Sequence, residues 1–215
     1  MSLLELLRED DDEFQRARRI DGVVIARVTN NQDPDNMHRV KVEFPWLSEQ
    51  SESHWARIAT LMTGNDRGAY FLPEVGDEVL VAFEHGDIHH PFVLGGLWNG
   101  VDKPPETNSD GKNNRRLFKS RSGHKIILDD KDGSEKIEII DKTGKNMITV
   151  DSAKNTITIS SEKDIELLAK NGKIRLECMQ LETKSSTTTK IEAGASMDLK
   201  ASANLVVKGA IVQIN

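Results

Sequence analysis

The stretch His38–Leu47 reads HRVKVEFPWL, and it decides the fold class of the first half of the chain. Its apolar residues Val40, Val42 and Phe44 alternate with charged residues. Successive side chains of a β-strand point to opposite faces, so this alternation is typical of a strand with one buried face. The stretch therefore predicts a half-buried strand.

Four more short apolar stretches, on both sides of this one, also predict strands. They are GVVIARVTN (Gly22–Asn30), HWARIATLM (His54–Met62), EVLVAF (Glu78–Phe83) and HHPFVLGGLWNG (His89–Gly100). Turn residues such as those of NQDPDN (Asn31–Asn36) lie between strands. Five short strands within about 80 residues, with no long helix among them, favour a small all-β barrel of the OB type.

The composition changes near residue 118. Every proline and every aromatic residue lies before Lys119. The preceding stretch Asn99–Arg116 is rich in Pro, Asn, Asp and Gly and has no apolar period, which is typical of a linker. We therefore predict an N-terminal segment over residues 1–19, an OB-fold domain over 20–100, a linker over 101–118 and a repetitive domain over 119–215.

The second half repeats a short apolar–x–apolar unit. The units recur every 7 to 11 residues or so, often with glycine or asparagine between them, and recurrence at a short period indicates a β-solenoid or β-helix. The predicted core of this domain is Ile137, Ile139, Ile148, Val150, Ile157, Ile159, Ile165, Leu167, Ile174, Leu176, Leu199, Leu205 and Val207.

One chain supplies too little apolar surface to hold such units alone. Burying one Ile or Val contributes about 1.5–3 kcal/mol. Ordering a unit of about nine residues costs at least 1–2 kcal/mol per residue. Three chains that wrap one axis would share a narrow core, and the absence of proline after residue 105 suits a backbone whose N–H groups all pair. We predict an intertwined trimeric β-helix, or β-prism, in which the chains pair with one another.

The composition also excludes several classes of protein. A net charge of −6 gives no support for a nucleic-acid partner. The single cysteine, Cys178, excludes an intrachain disulfide framework. No apolar run approaches the roughly 20 residues of a membrane span. The N-terminal sequence lacks the pattern of a signal peptide, so we expect a protein made in the cytoplasm.

Two polar stretches carry side chains capable of chemistry. Glu84–His90 reads EHGDIHH and holds five possible metal ligands, but its Gly-Asp step predicts a turn between two strands. Asp129–Glu138 reads DDKDGSEKIE and lacks EF-hand spacing, so it predicts a solvated hairpin. Cys178 has no base nearby in sequence. We expect no catalytic residue, no metal and no cofactor, and hence no enzyme.

The stretches RVKVEFPW, WARIA, AYFLPEVGDEVLVAFEHGD, PFVLG and WNG resemble the OB-fold domain of the VgrG and phage baseplate assembly protein V family. The resemblance covers Gly22–Gly100, and the repeats after it resemble the trimeric spike helix of the same family. It implies the central spike of a contractile injection machine, such as a phage tail, a tailocin, an extracellular injection system or a type VI secretion system. Such a spike is a homotrimer that pierces a target envelope and contacts the target membrane transiently.

The resemblance also implies partners at both ends. Only about 20 residues precede the barrel, so we expect a separate hub protein, docked by Leu3, Leu4 and Leu7. No lysozyme-like domain follows the barrel. Some phage spikes of the family end in a metal-binding histidine pair, but no histidine follows His124. We expect instead a PAAR-type tip protein that docks on Ile211, Val212, Ile214 and Asn215.

Two other functions stay open on the sequence alone. A trimeric receptor- or glycan-binding fibre would carry a globular domain at its C-terminal end. A solenoid hydrolase similar to the pectin lyases would need a wide single-chain coil and clustered carboxylates on one face.

Overall fold

The computed structural model describes residues 19–47 and 52–214. The predicted hub-docking residues Leu3, Leu4 and Leu7 and the predicted tip residue Asn215 lie outside these ranges. The described residues form twelve β-strands and one 3₁₀ turn, Glu84–Gly86. No helix among them is long and apolar enough to cross a membrane.

The first seven strands lie within the predicted OB-fold domain. They are β1 (Val23–Asn30), β2 (Arg39–Glu43), β3 (Ala56–Ile58), β4 (Thr63–Gly64), β5 (Arg67–Gly68), β6 (Glu78–Phe83) and β7 (Pro91–Gly96). Five of them close into a barrel in the order β1-β2-β3-β7-β6. The barrel pairs are antiparallel except β3 with β7, which is parallel. The prediction of an all-β, five-stranded barrel is confirmed, whereas the small β4–β5 hairpin was not predicted.

The barrel interior is filled by side chains from alternate positions along its strands, which point inward. Val40, Val42 and Phe44 are 0%, 0% and 4% exposed, as the alternation of HRVKVEFPWL predicts. The remaining buried apolar residues of the barrel core are Ala26, Val28, Ala56, Val79, Val81, Phe83 and Val93. Burial of each Val contributes about 1.5–3 kcal/mol, so this cluster stabilises the barrel within one chain.

The next five strands form a separate antiparallel sheet. They are β8 (Arg115–Lys119), β9 (Lys125–Asp129), β10 (Lys136–Ile140), β11 (Met147–Asp151) and β12 (Thr156–Ser160), and they lie side by side in chain order. Each connecting loop holds one residue with a positive φ: Gly123 (104°), Gly133 (71°), Gly144 (74°) or Asn155 (52°). These are the residue types that adopt this conformation at low cost, so each turn folds the chain back on the strand before it.

The sheet differs from the prediction in two respects. The linker predicted over residues 101–118 ends earlier, because Leu117 and Phe118 lie in β8 and pair with β9. The repeats up to Ser160 were expected to pair with neighbouring chains, but β8 to β12 pair within one chain. The turn residues explain this second difference, because they let each repeat pair with its own predecessor.

The chain divides into two units between Ile159 and Ser160. The second unit contains no strand among residues 161–214, and every residue from Glu162 to Ile214 is exposed. Its large apolar side chains are between 45% (Met197) and 107% (Met179) exposed. The prediction of a β-helix over this part is therefore not seen within a single chain.

Candidate assembly surfaces

The sheet carries an exposed face made of apolar side chains. Directly paired residues of antiparallel strands share a face, and the registers align one apolar row across β8 to β11 and a second across β9 to β11, which meets Arg116 at β8. We call this surface the apolar sheet face. Its members are Phe118, Ile126, Ile139 and Ile148 in one row and Leu128, Ile137 and Val150 in the other.

This face is exposed, although it is the more apolar side of the sheet. Leu128 and Ile148 are each 41% exposed and Phe118 is 57% exposed. The opposite face carries charged residues such as Lys136 and Glu138, and yet Ile127 on that side is 2% exposed. An antiparallel sheet normally turns its apolar face to the core. A contiguous exposed apolar surface of this kind marks an interaction site.

The predicted core residues lie partly on this face and partly in the second unit. Ile137, Ile139, Ile148 and Val150 belong to the apolar sheet face. Ile157 and Ile159 lie on β12, at 71% and 57% exposure. The remaining predicted core residues are exposed and lie outside any strand: Ile165, Leu167, Ile174, Leu176, Leu199, Leu205 and Val207. That all of them converge between chains stays a prediction.

The predicted docking residues for a tip protein are exposed as well. Ile211, Val212 and Ile214 are 83%, 49% and 91% exposed. Cys178 is also exposed. Among the described residues of the second unit, none covers these side chains within one chain.

An aromatic pair connects the barrel to the edge of the apolar sheet face. The rings of Phe71 and Phe118 stack nearly parallel, with centroids 5.8 Å apart and an interplanar angle of 13°. Beside them in sequence, the guanidinium of Arg121 donates to the Glu74 carboxylate over 2.6 Å. Phe71 lies in the segment between β5 and β6, and no local sequence pattern indicates its contact with a strand so far along the chain.

Ile126 and Leu128 were also missing from the predicted core, although the sequence contains the signal that finds them. They have the same apolar–x–apolar spacing as the predicted core pairs. Their registers place them beside Ile139 and Ile137 on the apolar sheet face.

The carboxylates with shifted pKa values serve as anchors of loops. A side-chain hydrogen bond from Arg39 holds the pKa of Asp33 well below its usual range. Hydrogen bonds from Lys41, and then Thr29, lower the pKa of Glu52. A lowered pKa shows that the surroundings stabilise the ionised carboxylate. An ionised carboxylate suits a structural anchor better than a general acid.

Two carboxylates hold hairpin turns of the sheet in the same way. Partial burial acts to raise the pKa of Asp141, but hydrogen bonds from Thr143 and Asn146 outweigh it and lower the pKa to about 2. Asp151 accepts from the backbone N–H of Lys154, which lowers its pKa. Both groups are thus acceptors for the turns that follow β10 and β11.

The two polar stretches form loops between strands, as predicted. Glu84–His90 connects β6 to β7, and the His89 ring meets the His54 ring edge-on at 5.3 Å. The residues Asp129–Glu138 form the hairpin between β9 and β10. Among the described residues, no three His, Cys, Asp or Glu side chains are placed to hold a metal ion together.

The barrel matches a known family over most of its length. Residues 24–98 match the family described as the type VI secretion system/phage-baseplate injector OB domain. The barrel of this chain is thus similar to the OB domain of that family. The five-stranded closed barrel agrees with the OB domain that this family description names.

Two curated relatives from different bacteria are named as spike proteins. The type VI secretion system spike protein VgrG3 of Vibrio cholerae is 32% identical over 130 residues, which are 55% of this chain and 13% of the relative. The type VI secretion system spike protein VgrG2a of Pseudomonas aeruginosa is 35% identical over 102 residues, or 44% of this chain and 12% of the relative.

A third relative carries a different name. The actin cross-linking toxin VgrG1 of Vibrio cholerae is 28% identical over 137 residues, which are 58% of this chain and 12% of the toxin. The chain thus matches about an eighth of the length of each of these three relatives.

Proposed function

We propose that this chain is the central spike protein of a contractile injection machine of the type VI or phage-tail kind, and that it works as a homotrimer. Three copies turn their apolar sheet faces toward a common axis. The residues after Ser160 continue the spike as an intertwined β-helix in which each strand pairs with a neighbouring chain. The barrel over residues 20–100 is a collar, residues 101–114 connect it to the sheet, and the spike transmits force to the target envelope.

The observation that carries this proposal is the exposure of apolar surface in a single copy. Fifty-three consecutive residues, Glu162–Ile214, are exposed, and they include regularly spaced Ile, Leu and Val. A disordered segment has few such residues. Copies that meet along this surface would remove it from water, at about 25 cal/mol for each Å² of apolar area.

The two edges of the sheet support the same arrangement. β8 presents Arg115 and Arg116, which pair with Asp129 and Asp130, and such charges protect an edge against further pairing. β12, at the other edge, reads TITIS and carries no charge and no proline. An unprotected β-branched edge is ready to accept another strand.

The sequence after β12 explains why that strand comes from another chain. The loops within the sheet each contain a glycine or asparagine with positive φ, but residues 160–164 read SSEKD and contain neither. Without such a residue, a tight reversal onto β12 is unfavourable. The unit around Ile165 and Leu167 therefore pairs with a neighbouring chain.

The mass of the native protein tests this proposal. We expect a trimer of 72.0 kDa, three times the 24.0 kDa of one chain, by sedimentation equilibrium of the full chain. A monomer of 24.0 kDa at micromolar concentration would show the proposal to be wrong.

Partners at the two ends complete the proposed machine. A hub protein binds on the N-terminal side through Leu3, Leu4 and Leu7. A PAAR-type tip protein binds Ile211, Val212, Ile214 and Asn215, of which the first three are exposed. The tip makes the first, transient contact with the target membrane.

Deletion of Gly209–Asn215 tests the docking of the tip. We expect the truncated chain to remain trimeric but to lose binding of the PAAR-type protein in a pull-down, because the exposed apolar end is gone. The control is Lys208→Ser, which changes an exposed residue directly before the deleted segment and keeps the apolar end. It should bind the tip protein like the wild type. Undiminished tip binding by the truncated trimer would refute this docking site.

A further inference from the structure

We infer that Phe71 and Phe118 form an aromatic contact between copies of this chain, so that the barrel itself contributes to the trimer interface. This inference rests on the proposed trimer. It adds a residue of the barrel to an interface that otherwise consists of the sheet and the segment after it.

The position of the pair continues the apolar sheet face. Phe118 starts the row that runs through Ile126, Ile139 and Ile148. The ring of Phe71 stacks on that of Phe118 and so adds an exposed apolar side chain of the barrel next to the end of this row. Copies that meet along the row would therefore also meet at Phe71.

The two rings remain accessible in one copy. Although they are stacked, Phe71 is 63% and Phe118 is 57% exposed. A phenylalanine buries roughly 200 Å² when it is fully enclosed, so roughly 100 Å² of each ring stays in water. The six rings of a trimer would remove roughly 600 Å² in all, or roughly 200 Å² at each of its three interfaces, and Phe71 supplies about half of that area beyond the sheet contacts.

The charges around the pair favour a second copy as its partner. The ion pair of Glu74 with Arg121, each three residues from one of the rings in sequence, is neutral overall. Arg116, on the same face of β8 as Phe118, is paired with Asp130, so copies that approach at this point would meet charges that are already matched. A matching neutral aromatic surface is what another copy of the same chain provides.

A thiol placed at residue 71 reports on this contact directly. The experiment uses Phe71→Cys in the full chain with Cys178→Ser, so that one thiol is present. Its control is Trp98→Cys in the same background, because Trp98 is an exposed barrel aromatic with a similar exposed fraction, 69%. Both thiols should react alike with a maleimide in a single copy, since reactivity follows exposure.

In the native trimer we expect the Phe71→Cys thiol to react about tenfold more slowly than the Trp98→Cys thiol, since burial limits access to the thiolate. Phe118→Cys should be protected as well, because Phe118 already belongs to the apolar sheet face. Equal rates for Phe71→Cys and Trp98→Cys in a confirmed trimer that protects Phe118→Cys would overturn this inference alone, whereas an unprotected Phe118→Cys would overturn the proposed sheet interface. A monomeric mass with equal rates would instead overturn the proposed trimer.

Discussion

At the scale of single residues, Asp33 shapes the loop between β1 and β2. Its carboxylate accepts hydrogen bonds from the backbone N–H groups of Met37 (3.0 Å) and Arg39 (3.3 Å), one on each side of His38. His38 adopts a φ of 58°, a left-handed conformation that is unfavourable for a residue with a side chain. The anchoring bonds on both sides hold His38 in this conformation.

The charge of Asp33 is matched within the same loop. Its side chain is 5% exposed, and the guanidinium of Arg39 donates to it over 2.7 Å and 2.8 Å. Arg39 is in turn 16% exposed and also donates to Asp35. Removing the Asp33 charge would leave a nearly buried guanidinium with one partner fewer, which destabilises the barrel.

We therefore expect Asp33→Asn to lower the melting temperature of the barrel by several degrees at neutral pH. The control is Asp66→Asn, an exposed turn residue with a φ of 52°, a conformation that asparagine also adopts. Thermal unfolding followed by circular dichroism measures both. A melting temperature unchanged from that of the wild type would contradict the role of Asp33.

The same variant has a pH dependence with a definite sign. The pKa of Asp33 is lowered in the folded state, so its contribution is complete above the unfolded pKa of about 3.9 and is lost as the pH falls toward the folded value. The difference in melting temperature between wild type and Asp33→Asn should thus shrink between about pH 4 and pH 2. A constant difference over that range would assign the effect of the variant to the geometry of the loop.

At the scale of elements, alternation made the barrel predictable from the sequence. Each barrel strand is short and buries one face, so Val40 and Val42 indicated both the strand and the inward side chains. The pairing of the later repeats was predicted wrongly for β8 to β12. Alternation determines to which face of the sheet a side chain points. It does not determine which strand pairs with the strand that carries that side chain.

The missing information was in the turns. Gly133 and Gly144 permit tight reversals, and the sheet continues past both. Residues 160–164 offer no such residue, and the pairing within the chain stops there. The contact of Phe71 with Phe118 was not predictable, because it depends on how the barrel packs against β8 and leaves no periodic signal.

The apolar sheet face gives a prediction at this scale. Ile139 lies on it at 49% exposure, so in a single copy Ile139→Lys places a charge at the surface at little cost. In the proposed trimer the same charge would be buried without a partner, which is strongly unfavourable. In a chain that ends at Ser160, where the sheet faces alone would hold the copies together, we expect Ile139→Lys to keep the barrel folded and to sediment as a monomer.

Thr149→Lys is the matched control for this variant. Thr149 is the direct cross-strand neighbour of Glu138 on the opposite face of the sheet, so the new lysine would meet an opposite charge there. In the same shortened chain it should sediment like the unsubstituted protein. If Ile139→Lys also remained trimeric there, the apolar sheet face would not be the trimer interface.

At the scale of the whole molecule, the two units imply two kinds of association. The barrel and the sheet pair their strands within the chain, except at the outer edge of β12, so two copies of this unit would meet each other through side chains. Residues 161–214 form no strand of their own, and in the proposal their pairing comes from neighbouring chains. Side-chain contacts can separate by rigid-body dissociation, whereas intertwined chains must first unfold.

This difference predicts the rate at which copies exchange between trimers. Full-length trimers carrying two different affinity tags should form almost no mixed trimers over roughly a day at 25 °C, because exchange would require unfolding of the intertwined segment.

A chain that ends at Ser160 keeps the barrel and the sheet but lacks that segment. Its trimers should exchange at least about tenfold faster. Native mass spectrometry after mixing measures both rates. Rapid exchange of the full-length protein would mean that the residues after Ser160 lie side by side without intertwining.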